Sequence, residues 1–470
     1  MTSSPRFDAT RAWSVWGTLW LLSVAAGVVA LCAGPGSMRA AVLVFCFAAM
    51  VQCGWPSTAA PRLMQRTILC VSLLAHLTCL WLPPLLSDDV YRYLVDGSLV
   101  AQGYNPFGWA PSSPKLDDLV PAWRHLVNHP DLHTIYPPVA QAAFGVVCLV
   151  ASHPLAWKSA MVFAVWGTAF WCWRRGDRDS ALRLVSHPLV LLGASLDGHV
   201  DTLGIMLVAA LLASPGSVIR SGVWIGLAAG VKLFPLALVA ASLRFGVRKT
   251  IVVGVLATSI LVASYLPLLN AGAKSLGSLG IYAATWEYNS GPAALVSEAV
   301  QSGLSWSGVP GPTEVTTLYA ETGRRPATRY FQGVATARVW WTHRELGHRA
   351  SRIAALMALF SVVLAVWRHR WPIEKAAAWL LTVVIVTSPT VHPWYMMWLV
   401  PLAVQTGAPL WLRWLCAVHV LGFWAPAQES DLGVWQDERW IRSLVWGTWA
   451  LVCAVSVLRR KLPGTPTTTC

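Results

Sequence analysis

Residues 66–86 read RTILCVSLLAHLTCLWLPPLL, and directly after them come Ser87-Asp88-Asp89-Val90-Tyr91-Arg92-Tyr93-Leu94-Val95-Asp96-Gly97 and then Gly103-Tyr104-Asn105-Pro106-Phe107. The first run has the ~20-residue length that crosses a bilayer. The second sets Asp88, Asp89, Asp96, an arginine and several aromatics at the end of that span. Ionisable groups at a membrane boundary are expensive to hold and for that reason often functional.

Outward from this junction the same texture repeats. The 470 residues are 56% apolar and only 12% charged, with mean hydropathy +0.54, too apolar for an ordinary soluble domain. Apolar stretches of spanning length lie at 13–33, 38–55, 66–86, 157–173, 250–269, 351–367, 373–388, 409–426 and 441–458, and shorter or interrupted ones at 136–152, 184–213, 221–243 and 391–406. This predicts an all-α polytopic membrane protein with about 11–13 transmembrane helices. A single transmembrane domain covers 1–462, with larger outward loops at about 87–135 and 270–349, and 463–470 reads as a disordered tail. Within the second loop, 302–328 is rich in Gly, Ser, Pro and Thr and reads as flexible, and 283–301 reads as a short helix along the membrane surface. The first span has no convincing cleavage site and reads as a retained helix.

The net charge of +14 is spread over short inter-helix clusters, among them Arg174 to Arg183, Arg244 to Lys249 and Arg459 to Lys461, not along one stripe. That pattern follows positive-inside topology and argues against nucleic acid as a partner. It places the N-terminus in the cytoplasm and the Asp88 loop outside. Two full crossings at 136–152 and 157–173 would put the Arg174 cluster on the wrong side, so the segment at Tyr136-Pro137-Pro138 is expected to be broken or re-entrant, and likewise that at Lys232-Leu233-Phe234-Pro235. Many of the 28 tryptophans, such as Trp13, Trp81, Trp171, Trp173, Trp371 and Trp440, stand near span ends and read as interfacial anchors. The ten cysteines show no metal-like spacing and read as small packing residues. The 28 arginines against 7 lysines point to a GC-rich genome and hence to a bacterial inner membrane.

Six segments carry chemistry, each with a plainer alternative. Asp88 or Asp89 caps a helix start, or serves as a reactive acid. Tyr136-Pro137-Pro138 starts a helix with proline. Asp197-Gly198-His199-Val200-Asp201 sets two acids and a histidine between apolar runs, which packing does not explain. Lys232 snorkels to an interface or meets an anionic headgroup. Trp286-Glu287-Tyr288-Asn289 stands on the second loop. Ser388-Pro389-Thr390-Val391-His392-Pro393-Trp394-Tyr395 opens an apolar helix, where His392 either caps it or binds phosphate.

This ordered set, from about 66 to 406, resembles the polytopic GT-C class glycosyltransferases that use a polyprenyl-phosphate sugar donor, particularly mannosyltransferases of the lipomannan and GPI-anchor type. The resemblance implies a GT-C-like fold and an inverting transfer of one hexose, with mannose the leading candidate, to a glycolipid or polysaccharide acceptor on the extracytoplasmic side in cell envelope biosynthesis. It implies Asp88 as general base with Asp89 as the close second. It further implies His392, Arg92 and Lys232 at the donor phosphate, and Tyr91, Asp96, Tyr136, Asp197, His199, Asp201 and Tyr395 at the substrate. A carboxylate shielded from water is a better proton acceptor for a sugar hydroxyl, and a phosphate leaving group needs cations or hydrogen bonds more than an acid. No cofactor and no metal is expected, because a lipid monophosphate lacks the diphosphate that commonly recruits a divalent ion. The paired Asp88-Asp89 departs from the spaced acids of some relatives, and the second loop matches no known pattern. The main competing class is a secondary transporter or flippase of a lipid-linked envelope precursor, followed by a non-catalytic scaffold.

Overall fold

The computed structural model describes residues 5–214, 216–306 and 343–461; most of the flexible stretch expected at 302–328 and the tail at 463–470 lie outside these. Among the described residues the architecture is helical, with a single isolated bridge between Tyr288 and Thr390. The chain opens with α1 (Pro5–Cys32), α2 (Met38–Cys53) and α3 (Arg62–Trp81). After α4 (Asp89–Ala101) and a long loop come α5 (Pro138–Val150), α6 (Pro154–Arg174), α7 (Arg178–Val185) and one turn of α8 (Pro188–Val190). A π-helical turn over Leu191–Leu196 leads to α9 (Thr202–Leu212) and α10 (Val218–Val231), and a 3₁₀ segment, Phe234–Phe245, to α11 (Val247–Tyr265). Next follow α12 (Leu279–Thr285), α13 (Pro292–Trp306), α14 (His343–His369) and α15 (Ile373–Val386). The C-terminal part holds a 3₁₀ turn (Pro393–Trp398), α16 (Val400–Ala403), α17 (Leu410–Val418), α18 (Trp424–Leu432) and α19 (Arg439–Lys461).

Six helical stretches among the described residues are long and apolar enough to cross a membrane: Ala9–Cys32, Arg62–Trp81, Val247–Gly272, Glu345–His369, Leu410–Leu432 and Arg439–Leu458. The protein is therefore an integral, helical membrane protein. Hydropathy predicted about 11–13 transmembrane helices, some of them broken; besides these six, the apolar stretches form shorter helices, Met38–Cys53, Pro138–Val150, Thr202–Leu212, Val218–Val231 and Phe234–Phe245. At 1.5 Å per residue the 13 residues of α5 extend only ~20 Å, against ~30 Å of hydrocarbon. α5 begins on Pro138, ends at Ala151 and turns straight into α6 on Pro154. α10 stops where Lys232 turns extended (φ −146°, ψ 144°) before Pro235. Both breaks fall where the sequence placed them, at proline, which has no N–H to continue a helix. Apolar side chains left exposed, such as Leu22, Phe163 and Phe360, cover the outer flanks, as a lipid-facing surface requires.

α4 is an interior helix: Val90, Tyr93, Leu94, Val95 and Leu99 are buried, and Gly97 lets it approach the Phe144 backbone of α5 so closely that a Cβ would stand 2.6 Å from the carbonyl oxygen. Two local expectations are corrected. No single helix runs from 283 to 301, because residues 286–288 are extended beside 389–391; α13 starts only at Pro292 and packs along α14. Trp13 is a core residue whose indole N–H donates to Thr58 O (2.9 Å), whereas Trp81 and Trp440 are exposed.

One buried cation holds the exit from α3. Lys158 on α6 donates from Nζ to the carbonyls of Cys79 (2.9 Å) and Leu82 (2.5 Å), satisfying helix-end oxygens that have no partner in the helix. Lys158→Met keeps the packing but strands those carbonyls, so it is expected to lower stability by about 2 kcal/mol, read as a lower melting temperature of the detergent-solubilised protein.

Candidate active site

A buried carboxylate organises the centre of the molecule. Asp201, at the start of α9, accepts two bonds from Lys232 Nζ (2.7 and 2.8 Å) and one from the Trp398 indole (2.7 Å). Trp398 can reach it because Gly204 has no side chain: a Cβ there would stand 2.4 Å from the indole ring. Lys232 also lies over the ring of Tyr395 at 3.8 Å, and the Tyr395 hydroxyl meets that of Tyr282 at 2.5 Å.

Just before Asp201, the π turn Leu191–Leu196 widens the helix, and Gly198 (φ 68°) reverses the chain. A side chain at 198 would be strained by that φ and would meet Lys158 Cγ at 2.9 Å. The turn separates the roles of Asp197 and His199. Asp197 Oδ1 accepts from the amides of Leu85 and Leu86 (both 3.1 Å), which fastens the chain directly before Asp88. His199 reaches the acid pair, its Nδ1 3.7 Å from Asp89 Oδ2.

Neither aspartate caps α4 with its side chain. Asn128, from the far part of the first long loop, instead donates to Asp88 Oδ1 (2.5 Å) and, at 3.4 Å, to Asp89 Oδ1. Burial, with Asp89 adding its negative charge, pushes the Asp88 carboxyl up to about 7, against the Asn128 bond that favours the ionised form. Burial raises Asp89 as well, opposed by Asn128, Lys232 and Arg92.

The histidines are ordered by an aromatic stack. His199 lies on Trp394 (3.9 Å, 16° between planes), Trp394 on His392 (4.3 Å, 6°), and His392 on Tyr288 (4.9 Å, 24°). The stack covers the ring faces and leaves the edges for polar contacts. His392 does not cap the turn that follows it. Both ring nitrogens of His199 and Nδ1 of His392 are buried with no hydrogen-bond partner in the protein, so their polar edges are open to a ligand or to water.

Not every residue singled out from the sequence joins this centre. The Arg92 guanidinium donates to Leu132 O (2.6 Å), although its charge still acts on Asp89. Asp96 accepts from Gln141 (3.1 Å), which also bonds Thr134 Oγ1 (2.8 Å), so Asp96 ties the end of the loop to α4 and α5. Tyr136 packs edge-on against Tyr93 (5.1 Å), and Tyr91 stacks on Trp123 (6.5 Å). Trp394 lies in the Ser388–Tyr395 motif without an assigned role, and Trp398 lies three residues beyond it. Lys158 was detectable by the rule applied to Lys232, a lysine inside an apolar stretch. Asn128 carried no signal. Among the described residues no group of three His, Cys, Asp or Glu side chains is arranged to hold a metal.

Comparison with protein-family models, curated proteins and solved structures gives no match. The functional reading accordingly rests on the residues and their geometry.

Removing one partner of a buried ion pair costs ~3–5 kcal/mol, whereas replacing both with apolar groups is often neutral. Asp201→Ala should therefore destabilise the protein by about 3 kcal/mol, and Asp201→Leu with Lys232→Met should recover most of the loss in thermal unfolding. A double variant as unstable as the single would show that the pair is not what Asp201 contributes.

Proposed function

We propose that the protein is an inverting membrane glycosyltransferase that moves a hexose, with mannose the leading candidate, from a polyprenyl-phosphate carrier to a glycolipid or polysaccharide acceptor on the extracytoplasmic side of a bacterial inner membrane. The observation that carries this reading is the meeting of a hydrogen-bonded acid pair, Asp88 and Asp89, with unpartnered imidazole edges and an ammonium in one buried place. An acid side suits deprotonation of a hydroxyl; a cationic and N–H-donating side suits a departing phosphate.

In this mechanism the acceptor oxygen attacks the anomeric carbon and its proton passes to Asp88, the carboxylate held by Asn128. The bond from the anomeric carbon to the phosphate oxygen breaks, and its electron pair leaves with the polyprenyl phosphate. Lys232 has three N–H groups; Asp201 takes two of them, and the third, with His392 and His199, is assigned to the phosphate. Asp201 and Trp398 position the ammonium. Asp89, nearer to His199 and Lys232, is assigned to orienting these donors. A β-linked donor then gives an α-linked product.

The competing reading, a transporter or flippase of a lipid-linked precursor, draws on the Lys232–Asp201 pair at a broken helix, a feature of transporters. Incubating the purified protein in lipid with radiolabelled polyprenyl phosphomannose, other polyprenyl-linked hexoses and an envelope lipid extract separates the two. Label passing to a new product with wild type and not with Asp88→Asn supports transfer; every donor left intact by the wild type favours translocation.

The pH dependence has a definite sign. A base that titrates near 7 holds its proton below that pH and accepts one above it, so the transfer rate should rise through about pH 7. Asn128→Ala removes a bond that favours the ionised carboxyl and should move this rise to higher pH. An unmoved profile would exclude Asp88 as the titrating base.

His392→Ala removes a hydrogen bond to a charged group, about 1.5–3 kcal/mol. It should raise the donor KM roughly ten- to a hundredfold, with no comparable change in the acceptor KM.

A further inference from the structure

A second polar cleft, of about 360 Å³, lies behind the stack between α13 and α14. Its walls include Glu287, Glu298, Gln301, His348, Arg352 and Asp437. The extended strip 286–288 runs along it, and Tyr288 is shared between its lining and the stack. Side chains alternate along such a strip: Trp286 packs on His129 (4.8 Å), the neighbour of Asn128, and Tyr288 stacks on His392, while Glu287 turns the other way and pairs with His348 (2.8 Å) in the cleft.

The strip is firmly held. Tyr288 exchanges backbone bonds with Pro389 O (3.2 Å) and Val391 N (2.8 Å), and its hydroxyl donates to Gly422 O (2.5 Å). Asn289 sits at φ 45°, with its amide on Asp437 Oδ2 (3.1 Å) and its carbonyl on the Trp446 indole (2.9 Å). Left-handed backbone outside glycine is uncommon and gathers at ligand sites. A wall so fixed is suited to binding.

The chemistry of the lining narrows the ligand. Charges of both signs line the cleft, Glu287, Glu298 and Asp437 with Arg352 and Arg442; Glu287 meets His348 and Glu298 stands 3.6 Å from Arg442, so no strong excess of one sign is offered to an ion. Carboxylate, amide, guanidinium and hydroxyl groups stand side by side, a mixture of donors and acceptors that matches the paired hydroxyls of a sugar. Its size is within the ~300–1,000 Å³ usual for small-ligand sites. The apolar part of the lining, Ala293, Ala294, Pro389 and the Tyr288 ring, is interleaved with these polar groups and contains no long aliphatic side chain that would suit a lipid tail.

We infer that this cleft binds the carbohydrate part of the acceptor, a neutral oligohexose, at the Tyr288 end of the stack. This rests on the transferase reading and extends it by assigning the acceptor class and its place.

The test reads binding without turnover. The full-length protein in lipid nanodiscs is titrated calorimetrically with n-octyl di- and trihexosides of mannose, glucose and galactose. At least one should bind, and Gln301→Ala, Arg352→Gln and Glu298→Gln, each checked for wild-type melting, should weaken it roughly tenfold. Three positions are used so that one variant that fails to fold does not decide the result. No binding by any probe, or wild-type affinity in the well-folded variants, would overturn the cleft. A wild type that binds an oligohexoside yet cleaves no polyprenyl-phosphate sugar would overturn the acceptor role through the transferase reading itself, leaving a glycan site without transfer.

Discussion

A carboxylate sealed away from water must be matched by hydrogen bonds and countercharge or it unfolds its surroundings. Asp201, in the turn before α9, is that group, and its partners come from two distant places, the break after α10 and the 3₁₀ turn before α16. Satisfying one carboxylate brings three chain interruptions together. His199 and Asp197 lie within four residues of Asp201, Tyr395 lies under the ammonium, and His392 and Trp394 precede it, so the centre assembles around this single requirement.

The interruptions themselves follow from what a membrane tolerates. Non-helical backbone at membrane depth is stable only where protein or a cavity covers it. Here the extended Lys232, the π turn and the Pro393–Trp398 turn lie against one another, with His199, Asp201, Met396, Met397 and Trp398 fully buried. Long helices such as α11 and α14 stay mostly exposed and form the flank. Polar chemistry and irregular backbone share the interior for one physical reason, the absence of water outside.

Two supports set the site from the loop side. Asp197 fastens the chain at Leu85 and Leu86, so Asp88 and Asp89 emerge at a fixed place and angle. Asn128 then holds both carboxylates, which keeps two like charges adjacent. The resulting upward displacement of Asp88 arises from burial first and from Asp89 second. On the other side Tyr288 ends the stack and also lines the cleft between α13 and α14.

The sequence by itself determined the membrane class, the helical architecture and where its polar breaks fall: at 88–96, 136–138, 197–201, 232 and 392–395. Each is a local contrast, polar or proline-bearing residues within apolar ones, and local contrasts are legible without a fold. The number of full spans was not, because hydropathy measures apolar content and not whether a helix runs unbroken through it. Nor was the division of labour among the acids. Asp197 and Asp201 are four residues apart with the same neighbours in kind, yet one fastens backbone and the other holds an ammonium. Arg92 and Asp96, singled out from the sequence, bond Leu132 of the loop and Gln141 of α5, while Asn128, with no distinguishing context, holds the acid pair. Only the tertiary structure decided these roles, because a buried polar group acquires its function from whichever distant atom desolvation forces it to meet.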